Sequence, residues 1–179
     1  MPAAVAVLLA LIVCLSARAG EVDEVSRLYR DGHHALALER ADRYLAGKPR
    51  DAQMRFLKGT LLADGQRDGE ALDLFLRLTE DFPELAEPYN NLAVLYARQG
   101  QFDKARAALE TAVRNNPSDA LAQENLGDIY ALLASRAYAR AASSDPRNAD
   151  APGKLALIRR LLSQQALRGA LAASLDPNR

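Results

Sequence analysis

Three prolines, Pro49, Pro83 and Pro117, stand 34 residues apart in a chain of 179. Proline lacks a backbone donor and fixes φ, so a helix accepts it in its first turn or just past its end. A breaker that returns at a fixed interval cuts the chain into equal helical units. Each unit is too small to bury a face alone and gains stability by stacking on its neighbours. Composition agrees, because Ala and Leu abound, tryptophan is absent and aromatics make up 6% of the chain. Strands draw on β-branched and aromatic side chains that are scarce here.

Counting back from the prolines gives units 20–51, 52–85 and 86–119, with a fourth at 120–148. The third is the most regular. It carries Tyr89, Leu92, Ala93, Tyr96, Gly100, Ala105, Leu109, Ala112 and Pro117 in one register. That register resembles the tetratricopeptide repeat (TPR) pattern, an aromatic-x2-Leu-small-x2-Tyr helix followed by an Ala-x3-aliphatic helix and a closing Pro. The resemblance implies an all-α fold, an α-solenoid of helix-turn-helix repeats wound into a right-handed superhelix.

The first unit keeps Leu28, Gly32, Ala37 and Pro49, but has Glu24-Val25 where Leu-Gly belongs and Ala41 at a bulky position. An outermost repeat faces water on one side, which suits an irregular sequence. The second unit keeps Gly59, Leu62, Ala71, Phe75, Leu78 and Pro83, with Lys58 at a Leu position. Gly65 and Gly69 are expected to make its inter-helix turn, with Asp68 capping the next helix. Gly100 and Asp103 are expected to do the same in the third unit.

The fourth unit opens with Gln123, Leu126, Gly127 and Tyr130, yet Pro146 follows Pro117 by only 29 residues. Five residues are missing, and they are those of the inter-helix turn. One long helix over Asp119–Ser143 is therefore predicted. Its uncovered side calls for a capping helix in the region 149–175, where Leu155, Ile158, Leu161, Leu162 and Ala166 form a stripe opposite Lys154, Arg159 and Arg160. Leu167, Leu171 and Leu175 extend that stripe past Gly169, and 176–179 reads as tail.

Residues 1–19 read as an address rather than as structure. Val5 to Leu15 is an unbroken apolar run, followed by Ala17-x-Ala19. Eleven helical residues reach roughly 16 Å, short of a bilayer core of about 30 Å. The small residues fit a secretory cleavage site before Gly20, although the leading residues hold no Lys or Arg. Cys14, the single cysteine, leaves with that segment, and thiol chemistry leaves with it. The expected location is the periplasm, with no membrane span after cleavage.

Little in the sequence points to catalysis or cofactors. His33-His34 are neighbours about 100° apart on a helix, and no third ligand stands near in sequence. Gly65-x3-Gly69 lacks the Lys-Ser/Thr of a phosphate loop. Asp64, Asp68 and Glu70 are irregular for a calcium loop. Lys and Arg number 23, as do Asp and Glu, so there is no basic footprint for nucleic acid. No catalytic residue, metal or cofactor is expected.

The resemblance implies a binding face lined by the first helix of each repeat. Its contact positions fall on Tyr29 and Arg30, on Thr60 and Asp64, on Asn90, Asn91, Val94 and Arg98, and on Glu124, Asn125 and Asp128. Asn91 and Asn125 match the family's common Asn, which also bonds between repeats. The family's clamp for C-terminal carboxylates needs Lys and Arg where this chain has Val22, Phe56, Glu87 and Asn91, so that clamp is absent. The expected function is a non-enzymatic adaptor of the cell envelope that holds a protein or peptide partner. The alternatives are a homodimer joined through 119–143 and an assembly factor for an envelope machine.

Overall fold

A computed structural model describes residues 20–145 and 147–163. It contains α1 (20–30), α2 (His34–Gly47), α3 (Ala52–Asp64), α4 (Asp68–Asp81), α5 (Glu87–Arg98), α6 (Phe102–Asn115), α7 (Ala120–Ser144) and α8 (Asp150–Ser163). No strand occurs among the described residues. The leader expected at 1–19, Pro146, and the extension and tail beyond Ser163 lie outside them.

Three turns join α1 to α2, α3 to α4 and α5 to α6, and they are copies of one another. In each, one residue adopts left-handed φ: Gly32 at 80°, Gln66 at 58° and Gly100 at 71°. The next residue's N–H reaches back five positions, from His33 to the Leu28 carbonyl, from Arg67 to Leu62 and from Gln101 to Tyr96. This is the Schellman closure, which satisfies carbonyls at a helix C-terminus. In the second unit the left-handed site is therefore Gln66, not either of the glycines expected to form the turn. Gly65 has an ordinary φ of −73°. A Cβ there would stand 3.3 Å from the Leu61 carbonyl oxygen.

The prolines mark the second repeating turn. Asp51 N–H bonds the Lys48 carbonyl, Leu85 that of Phe82 and Asp119 that of Asn116, so each Pro is the second residue of a four-residue turn. Proline's fixed φ suits that position. Asp51 then caps α3 by accepting from Met54 N–H at 3.0 Å, and Asp119 caps α7 by accepting from Leu121 and Ala122. Asp103 does not cap α6. Gln101 holds that position without a side-chain bond, and Asp103 lies within the first turn, where its charge favours the helix N-terminus.

The chain divides into two compact units at Leu74–Phe75, within α4. In the first, Val22, Val25 and Leu28 of α1 meet Ala37 and Ala41 of α2 and Met54, Leu57 and Leu61 of α3. Both alanines are fully buried, which lets the helices approach. Lys58, at its Leu position, reaches Asp42 of α2 at 2.6 Å.

In the second unit α5 pairs with α6, α6 with α7, and α7 with α8. Leu92, Ala93, Leu95, Ala105, Leu109, Ala112, Ala122 and Ile129 are buried there. The long helix is present as one element of 25 residues, about 37 Å. The capping helix α8 lies along it, held at its start by Asn148 accepting from Ala151 N–H at 3.1 Å. Leu155, Ile158 and Leu162 are partly covered. Leu161, expected on the same stripe, is 55% exposed beside Leu157 at 71%.

Candidate functional site

In the second unit, α5 and α7 carry the polar residues expected on the binding face. Asn90, Asn91 and Asn125 are all buried. Asn125 Nδ2 donates to Asn90 Oδ1 at 2.8 Å, a tie between consecutive repeats. Such a bond is worth about 1 kcal/mol net, and breaking one side leaves the other unsatisfied at roughly 1–3 kcal/mol. Asn90 thus holds the repeats together. Asn125 does so with its nitrogen alone, because its Oδ1 has no partner.

Three further buried atoms in this unit lack hydrogen-bond partners, Asn91 Nδ2, Asp128 Oδ2 and, on α6, Arg106 Nε. Asp128 sits one turn after Asn125 and one turn after the exposed Glu124 on α7. Burial raises the Asp128 carboxyl above the usual carboxylate range, and the Glu124 charge pushes it further the same way. These open atoms are closed to solvent, so they belong to the packing of α5, α6 and α7, while Glu124 and Arg98 are exposed. Val94 is fully buried between these polar positions. Arg98, in the last turn of α5, is exposed and engaged in an interaction of its own.

In the first unit, Tyr29 donates its hydroxyl to Asp64 Oδ2, a link from α1 to α3. Its ring also meets the edge of His34 at 5.0 Å. Thr60 is buried, with its hydroxyl turned to the Phe56 carbonyl at 3.2 Å. Arg30 is exposed and has an interaction of its own. Of the expected residues, Tyr29 joins Asp64, and Asn90 joins Asn125. Thr60 and Val94 face inward.

Features without a sequence signal also emerge. A cavity of about 480 Å³ opens in the first unit among Glu21, Arg40, Arg43, Tyr44, Gly47 and Lys48. Arg40 is committed there to Glu21 at 2.9 Å, a hydrogen bond that lowers the Glu21 carboxyl. In the second unit Tyr130 donates to Glu110 at 3.1 Å, and Arg136 lies 4.1 Å over the Phe102 ring. Only spatial proximity reveals these pairs, since 19 or more residues separate each. No cluster of metal-ligating residues occurs among the described residues. Nor is any described helix long and apolar enough to cross a membrane.

Two sequence profiles described as Tetratricopeptide repeat match residues 22–86 and 86–119. Among curated relatives, the chloroplastic Tetratricopeptide repeat domain-containing protein PYG7 of Arabidopsis thaliana is 38% identical over 73 residues, covering 38% of this chain and 24% of its own. The Probable biofilm formation methyltransferase WspC of Pseudomonas aeruginosa is 30% identical over 105 residues, covering 59% of this chain and 25% of its own. The chain thus spans about a quarter of these relatives' length. Among solved structures, MamA superposes with a TM-score of 0.58 at 19% identity, over 86% of this chain and 85% of that one. YrrB, described as a TPR protein with an unusual peptide-binding site, gives 0.58 at 19% identity, over 87% and 82%. At such identities these structures share the fold.

Proposed function

The chain belongs to the tetratricopeptide repeat family, and we propose that it is a non-catalytic adaptor which holds an extended peptide segment of a partner protein. The observation that carries this reading is the pair of first helices α5 and α7, joined by the Asn125–Asn90 bond and carrying exposed Arg98 and Glu124 at binding positions. Rigid helices present them without further ordering, which lowers the entropic cost of capture. YrrB's described peptide-binding site supports the class of ligand. The transferase named among the relatives belongs to a protein of which this chain covers only a quarter, so its activity is not carried over.

Panning a random dodecapeptide library on residues 20–163 tests the reading. Saturable binders are expected, and Glu124→Ala should weaken them with helicity unchanged. Failure to enrich any peptide rejects it.

The location proposed is the bacterial cell envelope, on the strength of the apolar run and Ala17-x-Ala19. Recovery of the tagged full chain in the cytosolic fraction of a bacterial host would oppose that. A second reading is a homodimer through 119–143, favoured by Tyr130, which is 47% exposed midway along α7. Light scattering that finds only monomer at tens of micromolar removes it. A third, assembly of an envelope machine, rests on analogy alone.

A further inference from the structure

Helix α8 carries an apolar face that the described fold does not cover. Leu157 is 71% exposed there, and Leu161, one turn on, is 55% exposed. At about 100° per residue the two lie within roughly 40° of each other. The covered stripe of Ala151, Leu155, Ile158 and Leu162 is centred about 110° away, towards α7. Lys154 flanks the leucine pair about 20° beyond Leu161, and Arg160 flanks it about 60° from Leu157 on the other side. Single exposed leucines are ordinary, but this pair sits in a field of one sign. The whole chain balances 23 cations with 23 carboxylates, whereas residues 131–163 hold six Lys and Arg against Asp145 and Asp150 alone. Asp145 is engaged by Arg147 at 3.3 Å, and Asp150 stands in the first turn of α8. Lys154, Arg159 and Arg160 form no ion pair among the described residues.

We infer that α8 adsorbs to an anionic lipid surface. Leu157 and Leu161 enter the boundary between headgroups and acyl chains, and Lys154 and Arg160 meet the lipid phosphates. Long basic side chains keep their charge at headgroup level while their stems lie along apolar surface. A second copy fits this face less well, because a two-fold contact brings the unpaired cations of both chains together. A partner helix calls for a groove, and leucines this exposed project instead of lining one. The attraction of unpaired cations to anionic lipid reaches about a Debye length, so the contact weakens with salt. No described helix is long and apolar enough to cross a membrane, and adsorption requires none. The inference is independent of the peptide reading, since α8 carries none of the positions named for that face.

The chain has no tryptophan, so Leu157→Trp places a single reporter on the face. Its emission is read in the full chain with phosphatidylglycerol or phosphatidylcholine vesicles. Leu36→Trp, on α2 and 50% exposed, is the control for adhesion elsewhere, including through the apolar run at 5–15. Expected are a blue shift of Leu157→Trp with phosphatidylglycerol, none with phosphatidylcholine, and loss of the shift at about 0.5 M salt. In that background Lys154→Gln with Arg160→Gln should weaken vesicle affinity roughly tenfold. Leu161→Ser should weaken it about threefold. Arg159→Gln, about 160° from Leu157, should change it less than about twofold. Thermal melts show that each variant is folded. Emission unmoved by phosphatidylglycerol, a shift that phosphatidylcholine matches, or an equal shift of Leu36→Trp overturns the inference. So does an equal loss with Arg159→Gln, which reduces the contact to bulk charge. A shift with polyglutamate and none with phosphatidylglycerol makes an acidic protein the occupant and overturns the lipid surface.

Discussion

The α5–α6 hairpin and the long helix α7 start from the same sequence pattern and end differently. Tyr89-x-x-Leu92-Ala93-x-x-Tyr96 is answered by Gln123-x-x-Leu126-Gly127-x-x-Tyr130. In the first, the chain reaches Gly100, takes φ of 71° and turns back. In the second, the residue 34 places on is Ala134, and the helix runs through it to Ser144. Glycine enters left-handed space without steric cost, whereas alanine is the best helix former and resists it. The length of the segment and one side chain decide between a turn and a rod. Burial follows, since seven of the 12 residues of α5 are buried but only three of the 25 in α7.

Four substitutions break or sharpen this contrast. Gly100→Ala should cost the most, about 1–2 kcal/mol, because a Cβ is forced into left-handed φ. Space is not the obstacle, as nothing lies within 4 Å of that Cβ. Urea denaturation measures it, and an unchanged midpoint would show that the backbone relaxes. Ala134→Gly, at the matching position, should cost about 1 kcal/mol through helix propensity, without creating a turn. Gln66→Gly should do the reverse and stabilise by about 0.5–1 kcal/mol, since Gln66 is the one described non-glycine with positive φ. A common sign for the two changes to glycine would refute the shared register.

The smallest effect concerns Asp128. Its carboxyl is raised by burial and by Glu124, so the folded state holds this proton more tightly than the unfolded chain does. Stability from this site is then full below the unfolded value, near 3.9, and is lost as pH rises through the folded one. Asp128→Asn, which mimics the protonated form, should raise stability at pH 7 by under about 1 kcal/mol. The gain should vanish near pH 3, as thermal melts at the two pH values would show.

The period was legible because proline and the Schellman residue act through local sterics, which a sequence displays directly. The long helix was legible for the same reason, as five absent residues leave no room for a turn. Gln66 was not, since Gly65 and Gly69 stand close by and are better candidates by type alone. The geometry of the whole turn, fixed by carbonyls at Ala63 and Leu62, chose the residue between them. At the candidate site the resemblance supplied positions but not roles. Asn90 and Asn125 look alike as ligand contacts until the 2.8 Å bond joins them. Thr60 and Val94 share the helical register of the binding face, yet packing turns them inward. The Tyr29–His34 and Tyr130–Glu110 contacts needed tertiary placement, which periodicity does not carry.

Arg136 rests on Phe102, the first residue of α6. The last eight residues of α7, some 12 Å, continue past that contact with α8 alongside, and Lys154 stands 5.9 Å from the Tyr138 ring. One unbroken helix therefore carries the contacts with α6 and those with α8. From Ser144 to Asp128 the backbone is helical without a break over about 24 Å. The Asn90–Asn125 tie and the α8 packing are thus fixed on the same rigid rod.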